Sequence, residues 1–131
     1  MARLAAQEKG EYYPTPEAVA QAIANLLRVT RSKNKDKHTV RLYDPCAGGG
    51  HALAQIARVL RTRTEFDVQT WGVEINPRRA SEAAERLDLV VQSPFEATAV
   101  KPSRWGVASL LFLNPPYDYS ADQGYRRMET Q

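Results

Sequence analysis

Asn114-Pro115-Pro116-Tyr117 is the tetrapeptide that most narrowly constrains the chemistry of this 131-residue chain. Two consecutive prolines cannot continue a central strand, so the backbone must leave the sheet there with a stiff geometry. Such a loop holds an amide side chain and a carbonyl at fixed positions beside an aromatic ring. Both oxygens are acceptors suited to a planar amine.

A second candidate is Asp44-Pro45-Cys46-Ala47-Gly48-Gly49-Gly50, which leaves an apolar run and enters a helical one. A loop there must turn tightly and let a ligand approach the backbone, which glycine permits. It is not a Walker A loop, because no Gly-Lys-Ser/Thr follows. Gly48-x-Gly50 opens a dinucleotide fingerprint, but Leu53 stands where its third small residue belongs. The alternative is a purely structural turn. Glu74 adds weight to ligand binding, since it closes Trp71-Gly72-Val73-Glu74 one β-α unit later. An acid at that place accepts hydrogen bonds from ribose hydroxyls in nucleotide-type sites. Ile75 beside it either packs on an adenine face or is core. The two signals together point to an adenosine-containing ligand.

The elements that must position these groups follow from pattern. Thr15-Pro16-Glu17 reads as a helix start, with Thr15 as cap and Pro16 at the first helical position. Val19, Ile23, Leu26 and Leu27 then make one apolar face. Thr39–Tyr43 is a short strand, and Leu53, Ile56, Val59 and Leu60 give helical spacing from about His51. Val68–Glu74 is a second strand, and Asn76-Pro77 caps a helix over Arg78–Leu87. Leu89–Val91 is a third strand and Val107–Leu113 a fourth. Strands separated by helix-length segments imply right-handed crossovers and a parallel α/β sheet, with about four strands in the order 3-2-1-4. The fourth strand then neighbours the first, and Asn114 and the glycine loop face one crevice at their C-terminal ends. Residues 1–12 read as a tail, 13–117 as the folded domain and 118–131 as a flexible segment.

Composition excludes several classes. Apolar residues at 43% and charged residues at 25% make a globular balance. No apolar run reaches the roughly 20 residues of a membrane span, and the polar N-terminus is no signal peptide, so a cytoplasmic protein without membrane attachment is expected. The single cysteine, Cys46, excludes an internal disulfide framework and a cysteine-rich zinc site. The net charge of +3 is uneven: Arg28, Arg31, Lys33, Lys35, Lys37 and Arg41 are opposed only by Asp36. This stretch either contacts phosphates or is a solvated loop. His51 either approaches a ligand or simply starts its helix. Trp71 and Trp105 read as packing residues.

Taken together, Tyr13-Pro14-Thr15-Pro16, the loop Asp44–Gly50, Gly72-Val-Glu-Ile-Asn76 and Asn114-Pro-Pro-Tyr117 resemble the S-adenosylmethionine-dependent methyltransferases. The resemblance is to the amino-methylating DNA type that modifies N6 of adenine, within a methyltransferase-like bacterial and phage-type subgroup, and it spans most of the chain. It implies a Rossmann-like methyltransferase fold with S-adenosylmethionine as cofactor and DNA as partner, in settings such as restriction-modification. Tyr13, Thr15 and Pro16 would sit by the methionine portion. Asp44, Pro45, Ala47, Gly48 and Gly50 would surround its amino-acid end. Glu74 would hold the ribose, with Ile75, Ser93 and Phe95 near the adenine ring.

In the mechanism the resemblance implies, Asn114 Oδ1 and the Pro115 carbonyl accept hydrogen bonds from the target amine. Pro116 stiffens the loop, and Tyr117 stacks on a base flipped out of the duplex. No metal and no covalent enzyme intermediate is required.

Three departures qualify the resemblance. Ser93 stands near the place where family members usually carry an acid for the adenine amine, which predicts a weakened contact. Pro45-Cys46 is similar to the nucleophile pair of cytosine-C5 enzymes, but lies in the cofactor loop, so Cys46 reads as a small buried thiol. The family sheet has seven strands, and this chain reads as four. The fourth strand would be an apolar sheet edge, which predicts self-association or a complementing subunit. A non-catalytic module binding cofactor, nucleic acid or a partner is the alternative function. The tetrapeptide also occurs in enzymes acting on RNA bases or glutamine; Tyr-Pro-Thr-Pro favours DNA adenine.

Overall fold

The structure, a computed structural model, describes residues 14–30, 39–99 and 108–114. Its elements in chain order are α1 (Glu17–Leu26), β1 (Thr39–Asp44), α2 (His51–Arg61), β2 (Asp67–Glu74), α3 (Pro77–Ala84), β3 (Leu89–Gln92), a 3₁₀ turn (Phe95–Ala97) and β4 (Leu110–Leu111). Val68, Val73, Val90 and Val91 favour extended backbone in β2 and β3, because branching at Cβ suits a pleated surface. The strands form one parallel sheet in the order β3-β2-β1-β4, as the sequence predicts.

One core joins all three helices to alternate residues of the strands. Ala20 and Ala24 of α1, Leu53, Ile56, Ala57 and Leu60 of α2, and Ala83 of α3 are buried with Leu42 and Val68. Burying a side chain the size of Leu53 or Ile56 contributes roughly 1.5–3 kcal/mol. Thr70, also buried, donates its N–H and Oγ1–H to Asp88 Oδ2 at 2.7 and 2.9 Å, and Oγ1 accepts from Asp88 N–H at 3.0 Å. That exchange leaves the hydroxyl satisfied inside the core.

The residues between these point to the opposite face. Leu89, Trp71, Tyr43 and Leu111 are in register across the four strands. Leu89 and Leu111 are 50% and 54% exposed, and the Arg41 guanidinium lies 5.5 Å above the Trp71 ring.

Four local expectations are corrected. Thr15 does not cap α1; the cap residue is Pro16, whose carbonyl accepts from Val19 and Ala20 N–H at 3.0 Å. The apolar face assigned to α1 is rotated: Val19 and Leu26 are exposed, and the helix packs through Ala20, Ala24, Ile23 and Leu27. Small alanines let α1 lie close along α2, where Gln55 Nε2 donates to the Glu17 carbonyl at 3.1 Å. Next, α3 ends at Ala84, earlier than Leu87. Finally, β4 is a two-residue strand within the predicted Val107–Leu113, with Ser109 N–H to Arg41 O and Phe112 N–H to Tyr43 O at 2.8 Å extending its attachment. Among the described residues no helix is long and apolar enough to cross a membrane.

Candidate active site

The site forms where β1, β2, β3 and β4 end side by side. Asp44 is the last residue of β1 and Glu74 the last of β2; both are buried, at 3% and 6% exposure. The glycine loop crosses between them: Ala47 N–H donates to Val73 O at 2.8 Å, and Gly48 N–H to Glu74 Oε2 at 2.8 Å. Gly48 and Gly50 have φ of 57° and 80°, the left-handed region that residues with a Cβ enter at a cost. Gly50 is also the cap residue from which α2 begins.

Four of the loop's amide donors are turned inwards. Cys46 N–H serves Asp44 Oδ1 at 2.9 Å, Ala47 serves Val73, Gly48 serves Glu74, and Gly50 serves Ala47 O at 2.9 Å. A phosphate cradle needs such N–H groups pointing at the ligand, and these four do not provide them. The loop's charges are also wrong for an anion. Burial first, then the neighbouring Glu74 charge, push the Asp44 carboxyl up to about 7, with the Cys46 N–H bond partly offsetting them. Burial, then the carboxylates of Asp44, Glu74 and Glu96, push the Cys46 thiol up to about 11. A loop bordered by carboxylates suits an adenosine-containing ligand whose far end is cationic. It does not suit one ending in phosphates.

Glu74 is held from three sides. Oε2 takes Gly48 N–H, and Oε1 takes Asn76 N–H at 2.8 Å and Arg79 Nη2 at 3.1 Å. Asn76 in turn caps α3, its Oδ1 accepting from Arg79 N–H at 3.1 Å, with Pro77 following as the sequence predicts. Ser93 N–H donates to Glu74 O at 3.1 Å, which ties the end of β3 to the end of β2. The Ser93 hydroxyl donates to Pro94 O at 3.0 Å, so it has acceptor capacity left for an amine. Ile75 and Phe95 stand exposed near these groups, at 60% and 46%. Ile75 is therefore not core.

On the other side of β1, Asn114 follows β4. Its Nδ2 donates to Thr15 Oγ1 at 2.9 Å, so the hydroxyl expected to cap α1 instead orients the amide. With Nδ2 engaged, Oδ1 retains its acceptor capacity.

Among the described residues the structure brings together Thr15 with Asn114, and Asp44, Ala47, Gly48 and Gly50 with Glu74 and Ser93. Pro45 is buried in the loop and Pro16 is exposed at the start of α1. Tyr13, Pro115, Pro116 and Tyr117 lie outside the described residues, as do Arg31, Lys33, Lys35, Lys37 and Trp105. Arg28 is engaged locally, donating to the carbonyls of Asn25 and Leu27 at 2.8 and 3.0 Å. His51 is exposed at the start of α2. Cys46 is half-buried, not buried. Its raised titration keeps it protonated and argues against a nucleophile. Two residues escaped the sequence reading. Glu96 carries charge near the loop, and Arg79 reads as an ordinary helix cation until the Asn76 cap turns it back onto Glu74.

The sheet order, the glycine loop after β1 and the acid closing β2 define the class I S-adenosylmethionine-dependent methyltransferase fold. The chain belongs to an uncharacterised methyltransferase family, DUF6094, whose model matches residues 1–130. Among solved structures it is similar to a protein assigned to the class I S-adenosylmethionine-dependent methyltransferases from Listeria monocytogenes, at a TM-score of 0.66 and 19% identity. That match covers 90% of this chain and 36% of the other. It is also similar to a type I restriction-modification system methyltransferase subunit from Streptococcus thermophilus, at a TM-score of 0.55 and 24% identity, covering 88% of this chain and 26% of that one. The chain thus spans about a third and a quarter of these two proteins. No curated protein matches it. Family and fold together imply S-adenosylmethionine as the cofactor.

Proposed function

We propose that this protein catalyses methyl transfer to the exocyclic N6 amine of adenine in DNA. The observation that carries the reading is the Asn114 amide, held through Nδ2 by Thr15 just beyond β4, the strand that neighbours β1. S-adenosylmethionine, when bound, supplies an electrophilic methyl on a cationic sulfur. Asn114 Oδ1 and the Pro115 carbonyl accept the two amine hydrogens, which aims the nitrogen lone pair at the methyl. Tyr117 stacks on the flipped base. Catalysis then rests on positioning and on hydrogen-bond acceptors, of which Asn114 Oδ1 is oriented through Thr15.

Asp44 receives the ammonium of the cofactor's amino-acid end, and Glu74 receives its ribose. Ser93 accepts from the adenine amine of the cofactor, between Ile75 and Phe95. The type I restriction-modification neighbour favours DNA as the substrate over RNA bases or protein amides. Exposed Leu111 and Leu113, at 54% and 61%, favour a second copy or a complementing subunit against β4.

The test is transfer of labelled methyl from S-adenosylmethionine to DNA, RNA and protein, with nucleoside mass spectrometry of the product. Label recovered as N6-methyladenine, and lost in Asn114→Ala, is the expected result. Label in RNA or protein but not in DNA overturns the substrate. Cofactor binding by a folded protein that methylates nothing, alone or with added subunits, favours the non-catalytic module.

A further inference from the structure

We infer that Glu74 accepts only one hydroxyl of the cofactor's ribose, and that Arg79 is the positioning residue that enforces this. The inference rests on the reading of Glu74 as the ribose acceptor and specifies how that acceptor works.

An ionised carboxylate offers about four acceptor positions, two on each oxygen. On Glu74, Oε1 already takes Asn76 N–H at 2.8 Å and Arg79 Nη2 at 3.1 Å. Both of its positions are filled. Oε2 takes Gly48 N–H at 2.8 Å and keeps one. A carboxylate with both oxygens open receives two vicinal hydroxyls together, one on each oxygen. Here a single hydroxyl finds a place, on Oε2, unless a protein donor is displaced.

Arg79 decides whether that displacement occurs. The donors from Asn76 and Gly48 are backbone groups, fixed by the start of α3 and by the glycine loop. Arg79 supplies the side-chain donor, so its departure would open Oε1. Its main chain is pinned by the Asn76 cap at 3.1 Å, and its side chain is 19% exposed against 6% for Glu74. A partly desolvated ion pair with both partners held is hard to separate, because either charge would be left buried and unpaired.

Calorimetry with S-adenosylhomocysteine and its 2′-deoxy and 3′-deoxy forms tests this on the wild type, Arg79→Met and Arg79→Lys. In the wild type one deoxy form should bind about tenfold or more weakly and the other within about twofold of the parent, as expected for one hydrogen bond to a charged group. In Arg79→Met, with Oε1 open, both deoxy forms should lose about tenfold. Arg79→Lys keeps a donor on Oε1 and should keep the unequal pattern. A salt bridge that merely holds α3 in place would weaken all three ligands alike.

Equal penalties in the wild type, or an unequal pattern surviving in a folded Arg79→Met, overturn the inference alone. Should Arg79→Met not fold by thermal melt, the wild-type comparison decides by itself. Wild-type binding indifferent to both hydroxyls and to Glu74→Gln overturns the ribose reading as well.

Discussion

Asn114 Nδ2 donates to Thr15 Oγ1 at 2.9 Å, a hydrogen bond between residues 99 positions apart that fixes the plane of the candidate catalytic amide. Thr15→Val keeps the shape of the side chain and removes the acceptor. Turnover in the methylation assay should fall about tenfold, the scale of one hydrogen bond. The S-adenosylmethionine Kd should change by less than about twofold. A raised Kd with unchanged turnover would assign Thr15 to the cofactor instead. Asn114→Ala should cost about 10²–10³ in turnover, comparable to removing a preorganised polar group aimed at the reacting centre.

The Asp44 carboxyl, pushed up to about 7, makes both stability and cofactor binding depend on pH. Its unfolded value is near 3.8. Between these values the folded chain holds a proton that the unfolded chain has released. The Asp44 contribution to stability is therefore full below about pH 4 and falls as pH rises through 7. A cationic ligand group stabilises the carboxylate, so binding should tighten with rising pH and level off above about 7. Calorimetry at pH 6 in buffers of different ionisation heat should detect proton release, and Asp44→Asn should abolish it. Affinity flat from pH 5 to 8 would rule this out.

Gly72 of β2 has no room for a side chain. A Cβ there would meet Ala47 Cβ and Leu87 Cδ1, each at 2.8 Å. Leu87 can adjust, but Ala47 belongs to the glycine loop and is tied to Val73. Gly72→Ala should destabilise by about 1–3 kcal/mol through overpacking. It should also weaken cofactor binding by shifting the loop. A thermal melt within about 1 °C of wild type would contradict the packing described for this position.

The rotated face of α1 gives a paired test. Ala24 is fully buried and Leu26 is 81% exposed. Ala24→Leu should cost about 1–3 kcal/mol by forcing α1 away from α2. Leu26→Ala should lie within about 0.5 kcal/mol of wild type, as exposed substitutions do. Chemical denaturation of the two variants checks this, and a reversed order would restore the face that periodicity suggests.

The proline-led α3 and the acid closing β2 were legible in the sequence because local chemistry dictates each, and the sheet order because a doubly wound sheet sets the fourth strand beside the first. Branched residues extend the chain, Asn76-Pro77 starts a helix, and a strand's last residue lies at the sheet's end. The seat of α1 was not legible, because close approach selects alanine, which barely registers in an apolar pattern built on larger residues. The extent of β4 was hidden for another reason: six apolar residues around Ser109 invite a long strand, whereas pairing with β1 sets the ladder at Leu110–Leu111. Thr15 was recognised as a polar residue with a task, but its partner comes from the far end of the domain. Arg79 was hidden likewise, since only the folded cap directs it to Glu74.

The attachment of β4 has a further consequence. The glycine loop is anchored across the long β1–β2 pairing, whereas Asn114 is reached through a two-residue ladder and the hydrogen bonds of Ser109 and Phe112. The glycine loop and Asn114 therefore belong to regions with different local opening free energies. Transient fraying of β4 should release the Asn114 amide while the loop Asp44–Gly50 stays closed. Amide hydrogen exchange should be slow at Ala47 and Gly48 and fast at Phe112, and equal protection at the three would show that the two regions open together.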